Sequence, residues 1–177
     1  MLRYLVIFGA LNAFIVTSLT NVGPKFPPTH GEVWPQPQMQ MKHDQFLVYD
    51  PAKLVIKTVR ETCPTLTRAI NHYVYVLKKL HDIASKNRIN HKEDKTHIPS
   101  NEHDKKKLLG NIMELNVELS APCEDYPHFD MDEIYYLNVS STSNLRSSSI
   151  WGILRGLETF SQLFFITDDF KVNLSLF

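Results

Sequence analysis

The polar side chains best placed for binding chemistry lie in residues 150–163, which read IWGILRGLETFSQL. Arg155, Glu158 and Gln162 are three or four residues apart, so a helix would place them on one side. The guanidinium of Arg155 presents several hydrogen-bond donors in one plane, and the carboxylate oxygens of Glu158 can accept hydrogen bonds beside it. We expect either a core helix packed on its own sheet or a helix that also presents Arg155 and Glu158 outside the domain.

The same stretch carries the signals of a helix that packs closely. Its apolar side chains recur at helical spacing and form one stripe: Ile153, Leu157, Phe160 and Phe164. The serines at 147–149 can cap its start. Gly152 and Gly156 each cost about 1 kcal/mol relative to Ala inside a helix, and their spacing leaves a smooth strip for another backbone.

Other clusters of reactive residue types point to no catalysis. His91, His97 and His103 have a six-residue spacing that matches no familiar metal site, and H-E-x-x-H does not occur in the sequence. We expect no metal and no cofactor. The neighbouring acids Asp132 and Glu133 stand at the start of a predicted strand and are interpreted as solvated groups, not as a catalytic pair.

Cysteine and asparagine patterns bear on covalent modification. Cys63 and Cys123 are the only cysteines, and in an oxidising compartment they would form a disulfide; two free buried thiols are the alternative. Asn138 and Asn173 each begin an N-x-[ST] sequon and are predicted to point outward from strands, as glycan acceptors.

The first twenty residues predict a secretion signal. Arg3 is followed by a mostly apolar run over 5–16 and by small residues over 17–20. A bilayer span needs about 20 residues, so we expect no membrane span after cleavage, with an uncleaved anchor or a buried segment as the alternatives. The formal net charge is zero, which provides no general attraction for nucleic acid.

Periodicity places the other elements around the helix. Two short strands are predicted near 46–48 and 54–56, and a helix from Pro64 whose apolar face carries Leu66, Ile70, Tyr73, Leu77 and Leu80. Residues 85–110 are rich in charge and predict a solvated loop. Further strands are predicted over 113–119 and 131–140, and a hairpin over 164–166 and 170–176.

A resemblance to a known family covers nearly all of residues 21–177. WGILRGLETFSQL closely resembles the WGALRGLETFSQL stretch of eukaryotic β-hexosaminidases, the family 20 glycoside hydrolases. The segment PCEDYP…MDEIYYLNV resembles invertebrate members in particular. The proline-rich lead-in at 24–37 resembles the family's opening segment, in which Trp34 is expected to anchor the chain on the domain.

The resemblance is to the N-terminal accessory domain alone. It implies an α+β fold, with an antiparallel sheet and two main helices packed on one face. In the family, activity belongs to a (β/α)8 barrel that follows, and such a barrel needs about 250 residues. The substrate's acetamido oxygen attacks the anomeric carbon there, and an Asp-Glu pair of the barrel assists.

One functional residue carries over from the family. The arginine of its LRG motif, which matches Arg155, reaches from the helix into the barrel's active site and binds sugar hydroxyls. Without a barrel we expect Arg155 to pair with Glu158 or to face solvent. Ile153 stands where the family has a small residue, which puts the close interface in doubt.

The sequence thus predicts an accessory domain of a secreted or lysosomal β-N-acetylhexosaminidase, inactive by itself, whose partner is the missing catalytic barrel. The substrate of the full enzyme would be a terminal β-linked N-acetylhexosamine. Two alternatives stay open: a secreted binding module that docks through the Gly152/Gly156 strip, and a degenerate product without function. The cell surface is an alternative destination.

Overall fold

The computed structural model describes residues 33–93, 107–167 and 169–176. The predicted signal at 1–20 lies outside these ranges. The elements, in chain order, are β1 (Phe46–Val48), β2 (Val55–Arg60), α1 (Pro64–Glu93), β3 (Leu108–Asn111), β4 (Glu114–Leu119), β5 (Tyr136–Asn138), β6 (Thr142–Ser147), α2 (Ile150–Gln162), β7 (Phe164–Ile166) and β8 (Val172–Ser175).

The strands form two four-stranded sheets, in the orders β2-β4-β6-β5 and β3-β1-β8-β7. The predicted α+β class with two main helices is confirmed. The expectation of an antiparallel sheet is wrong for the first sheet, because β2, β4 and β6 run parallel and only β5 is antiparallel to its neighbour. Parallel strands need long crossovers, which α1 and residues 120–141 supply.

The first sheet buries one face against the helices. Leu115, Val117 and Leu119 of β4 are fully buried, as their alternation predicted, and Leu145 of β6 lies in register beside Val117. Strand β6 was not predicted, because its sequence TSNLRS places serines at two of its three buried positions. The outer face carries the polar side chains of β4 and β6.

Helix α1 is longer than its apolar stripe indicated. Leu66 and Leu77 are buried, and Ile70, Tyr73 and Leu80 pack against the core, as predicted. The helix continues to Glu93, past the predicted end near 85, since charged residues with good helix propensity sustain it without an apolar face.

The loop predicted over 85–110 is therefore wrong at both ends. Its start belongs to α1, and its end forms β3, which pairs with β1 in parallel. Residues 94–106, including His97 and His103, lie outside the described residues, as does the side chain of His91. No described helix has the length and apolar character needed to cross a bilayer.

The hairpin of β7 and β8 is confirmed as antiparallel, but the outward direction predicted for Asn173 is wrong. Strand β8 is an inner strand, where Asn173 lies between Val48 and Phe165 in register. Only 4% of Asn173 is exposed, and its side-chain oxygen has no hydrogen-bond partner within the described ranges. The alternation was read correctly, but both faces of this strand are covered.

Candidate functional site

The start of α2 is fixed by two serines, as the sequence predicted. The Ser149 hydroxyl accepts a hydrogen bond from the Trp151 amide at 3.1 Å, which satisfies one of the free N–H groups of the first turn. The Ser147 hydroxyl accepts from the Ser149 amide at 3.1 Å and donates to the Ile134 carbonyl at 2.6 Å. These bonds connect the helix start to the segment before β5.

Replacing Ser149 by alanine is expected to lower the free energy of unfolding by about 1 kcal/mol, the typical cost of losing a helix N-cap. Urea denaturation followed by circular dichroism measures this change. Ser161→Ala, within the same helix, is the control and should change stability by less than about 0.5 kcal/mol. Equal losses in the two variants would contradict the capping role.

The two glycines of α2 face the chain's own interior. A Cβ atom built on Gly152 would lie 2.2 Å from the Ser147 hydroxyl and 2.3 Å from the Ile134 carbonyl. On Gly156 it would lie 2.2 Å from a methyl group of Leu145. The prediction that this helix packs on its own sheet is therefore confirmed. The hypothesis that this strip docks an outside partner is wrong, because β6 and the segment before β5 already occupy it.

Arg155 projects from the exposed side of α2 and pairs with Glu133. Its Nε and Nη2 atoms donate to one carboxylate oxygen of Glu133 at 3.0 and 2.8 Å. The side chains are 47% and 38% exposed. This hydrogen bond is the largest cause of the raised pKa of Arg155. Of the two expectations for Arg155, exposure to solvent is confirmed, whereas pairing with Glu158 is wrong, because the ion-pair partner is Glu133.

The acids Asp132 and Glu133 are more than solvated surface groups. Asp132 accepts hydrogen bonds from the Ile134 amide and the Ser148 hydroxyl, each at 2.9 Å, and the first of these is the main cause of its lowered pKa. The pair precedes β5 instead of opening it, since β5 begins at Tyr136. Asp132 thus fixes the local backbone from which Glu133 reaches Arg155.

Glu158 is directed to other partners, which explains why it does not pair with Arg155. Its two carboxylate oxygens accept from the Tyr73 hydroxyl and from the Gln162 amide, each at 2.7 Å. Burial and then this hydrogen bond raise the pKa of Tyr73. The contact joins α1 to α2 beside Arg155.

Trp34 is held through its backbone and not through its ring. The Gln162 side chain accepts from the Trp34 amide and donates to the Trp34 carbonyl, both at 2.7 Å. The Trp34 side chain is 69% exposed. The segment therefore attaches to the domain at Trp34, as expected, and it does so through the backbone and not through the indole.

A disulfide joins Cys63 to Cys123, with 6.3 Å between their Cα atoms. The disulfide alternative read from the sequence is therefore the one that the structure contains. The bond connects the start of α1 to the long segment between β4 and β5. Glu124, next in sequence, accepts a hydrogen bond from the Trp151 indole and lies 3.2 Å from His128. The disulfide thus ties this segment to α1, and the bond from Trp151 to Glu124 ties it to α2.

The charged groups of this surface are an oriented guanidinium and carboxylates that already accept hydrogen bonds. Arg155 offers a half-exposed, oriented guanidinium. An acid that protonates a leaving oxygen needs a raised pKa, whereas the pKa shifts resolved for carboxyl groups of the described residues, at Asp50, Glu114, Asp132 and Asp169, are all downward. The described residues contain no group of three or more potential metal ligands.

The sequence of residues 33–163 matches a family described as "beta-acetyl hexosaminidase like". The matched range includes α2, Arg155, Glu133 and both cysteines. It covers most of the chain, which decides the assignment. The chain belongs to the β-acetyl hexosaminidase-like family.

Individual relatives agree with this family. The chain is 29% identical to β-hexosaminidase subunit beta of Rattus norvegicus over 140 residues, which are 74% of this chain and 23% of that protein. It is 27% identical to the same subunit of Felis catus over 167 residues, 86% of this chain and 28% of that protein. The chain therefore spans about a quarter of the length of these hexosaminidases.

A solved structure of Flavobacterium johnsoniae chitobiase is also similar, with a TM-score of 0.49 and 15% identity. The region of similarity covers 77% of this chain and 18% of the chitobiase chain. The sequence named Arg155 as a candidate ligand, which stays a prediction, and it did not identify Glu133 as the ion-pair partner of Arg155. The sequence holds only a weak signal for this pairing. Glu133 directly follows Asp132, whose carboxylate accepts the Ile134 amide and so caps a turn.

Proposed function

We propose that this chain is the accessory domain of a β-N-acetylhexosaminidase that removes terminal β-linked N-acetylhexosamine from glycoconjugates or chitin oligosaccharides. The observation that carries the proposal is the family match across residues 33–163 together with the outward, oriented guanidinium of Arg155. The catalytic barrel is the partner, and it covers the exposed side of α2.

Arg155 contributes binding energy to the sugar in this arrangement. A guanidinium presents its donors in one plane and can hold two neighbouring hydroxyls. Glu133 accepts from two of its nitrogens and limits the directions available to the rest. The remaining donors are therefore partly oriented before the sugar arrives, which reduces the entropy lost on binding.

The chain alone is proposed to have no turnover. Hydrolysis needs a group that protonates the glycosidic oxygen, and the acid in this family belongs to the barrel. The surface of α2 supplies a ligand for the substrate and not the reacting groups.

The purified 177-residue chain is expected to release no aryl alcohol from an aryl N-acetyl-β-glucosaminide above the uncatalysed rate. The released aryl group is measured by fluorescence, with a full-length hexosaminidase as the positive control. Turnover that co-elutes with the chain on size exclusion, and that Arg155→Ala abolishes, would refute the proposal that this domain has no reacting acid.

We also propose a secretory or lysosomal destination, with the cell surface as the alternative. The disulfide and the exposure of Asn138 are consistent with an oxidising compartment that adds glycans. The leader at 1–20 and the domain from 21 onward remain predictions, as does a glycan at Asn138. Asn173 is buried and is no longer proposed as an acceptor.

A further inference from the structure

Strand β5 presents an exposed aromatic ring and a potential glycan acceptor on the same face. Among the described strands it lies at the edge of its sheet and is hydrogen-bonded to β6 alone. Tyr136 and Asn138 are two residues apart, so both side chains point to the outer face, with Cα atoms about 7 Å apart. Tyr136 is 71% exposed, so most of its ring is open to a ligand.

A shallow cleft begins beside this ring. Its volume is about 500 Å³, and its lining includes Glu118, Ile134, Tyr136, Arg146 and Ser148. Arg146 lies opposite Tyr136 in the strand register. Within the described ranges no hydrogen bond or ion pair of its guanidinium is found, whereas Glu118 is held by Arg60 at 2.6 Å. The cleft therefore offers a ring, an unengaged planar cation and a hydroxyl.

These groups match the chemistry of a sugar. One face of a pyranose ring carries C–H groups that pack on an aromatic side chain, and its hydroxyls and acetamide bind planar polar groups. The occupant that geometry favours is a sugar attached to the chain itself. A sugar on Asn138 is attached two residues along the strand from Tyr136, on the same face. This tethering raises the effective concentration of the sugar at the ring to the millimolar range or above.

We propose that Asn138 carries an N-glycan whose first N-acetylglucosamine packs on the Tyr136 ring and extends toward Arg146. This inference rests on the secretory destination proposed above. In the transfer, the Asn138 amide nitrogen forms a bond to the anomeric carbon of a lipid-diphosphate-linked oligosaccharide. The bond from that carbon to the diphosphate oxygen breaks, and the lipid diphosphate and the amide proton leave.

The packed sugar has a structural consequence. It covers the exposed ring and makes edge strand β5 unavailable for pairing with another chain, a hazard that proteins generally block. It also adds a contact to the segment that positions Glu133, since β5 follows that segment directly. The glycan therefore stabilises the side of the domain on which Arg155 is held.

A thermodynamic cycle tests the proposal. The chain is secreted from eukaryotic cells and trimmed enzymatically so that one N-acetylglucosamine remains on Asn138. Unfolding is then compared for the starting protein, Asn138→Gln, Tyr136→Ala and the double variant. We expect the loss of the sugar to raise the unfolding equilibrium constant about threefold or more when Tyr136 is present, and not when it is alanine.

Two variants control for general effects. Tyr126→Ala removes a ring that is 81% exposed but lies in the segment before β5; its effect should add to that of Asn138→Gln without coupling. Tyr136→Phe keeps the ring and should keep the coupling, even if Tyr136→Ala folds poorly. Nuclear magnetic resonance supplies a second readout, because a sugar stacked on Tyr136 has upfield-shifted ring protons.

Each remaining outcome overturns the proposal in a distinguishable way. A glycan on Asn138 with neither coupling nor upfield shifts refutes the packing alone. A secreted protein with Asn138 unmodified refutes both the packing and the proposed glycan. Free N-acetylglucosamine that perturbs the Tyr136 resonances of the glycosylated protein shows that the ring is vacant and receives an external sugar instead.

Discussion

Replacing Cys63 and Cys123 by serine is expected to lower the free energy of unfolding by about 4 kcal/mol. The two cysteines are 60 residues apart in sequence, and a cross-link that closes a loop of this length restricts the unfolded chain by about that amount. Small domains are stable by about 5–15 kcal/mol in total. The loss would therefore remove a large share of the stability of this domain.

Serine is the appropriate replacement at position 63, because the Cys63 sulfur also accepts the Leu66 amide at 3.4 Å at the start of α1. A serine hydroxyl can keep this cap, so the double variant isolates the cross-link. Urea denaturation of the oxidised protein and of Cys63→Ser/Cys123→Ser gives the difference. A loss below about 1 kcal/mol would show that the disulfide does not limit the unfolded chain.

Gly152→Ala is expected to destabilise the domain by about 1–3 kcal/mol, the usual cost of overpacking a tight site. The sign is informative, because alanine inside a helix is normally favoured over glycine by about 1 kcal/mol. The added methyl group would meet the Ile134 carbonyl, which is backbone and cannot rotate away. Thermal and urea unfolding measure the change.

Gly156→Ala is the matched comparison. Its Cβ atom would meet a Leu145 methyl group, and a side chain can move where a backbone carbonyl cannot. We therefore expect a smaller loss of stability than at Gly152. The double variant Gly156→Ala/Leu145→Ala should lose less stability than the sum of the two single variants, because substitutions in contact are not additive. A stabilising Gly152→Ala would contradict the close approach of α2 to the segment before β5.

Local patterns predicted the elements whose burial is one-sided. The stripe of Ile153, Leu157 and Phe160 and the alternation in β4 are direct consequences of helical and strand periodicity against one core. The capping serines could also be predicted, because a helix cap forms hydrogen bonds to backbone groups only a few residues away. The family resemblance added the candidate role of Arg155.

Features that depend on contacts between residues far apart in the sequence could not be predicted from local patterns. Asn173 looked outward by alternation, yet successive residues of β8 are buried on both faces of the sheet. The partner of Arg155 is Glu133, 22 residues away in sequence, because the disulfide-tied segment before β5 crosses the start of α2. The parallel order of β2, β4 and β6 likewise depends on crossovers that leave no local pattern. Tertiary contacts decide all three.

The same limit applies to the glycines of α2. Their spacing correctly indicated a close approach, but sequence could not tell whether an outside partner or the chain's own Leu145 and Ile134 would fill the space. With that strip internal, the exposed residues of α2 are Arg155 and Gln162. The functional contact is therefore proposed at the guanidinium and not at the glycines.

The most direct measurement is kcat/KM for an aryl N-acetyl-β-glucosaminide in a chimera that carries this chain before the catalytic portion of rat β-hexosaminidase subunit beta. Arg155→Ala should lower kcat/KM about 100-fold, the scale for losing an oriented donor at an active site. Arg155→Lys should restore little, and Arg146→Ala, on a different surface, should have no effect. Unchanged kcat/KM for a folded Arg155→Ala chimera would contradict the claim that this domain contributes a substrate ligand.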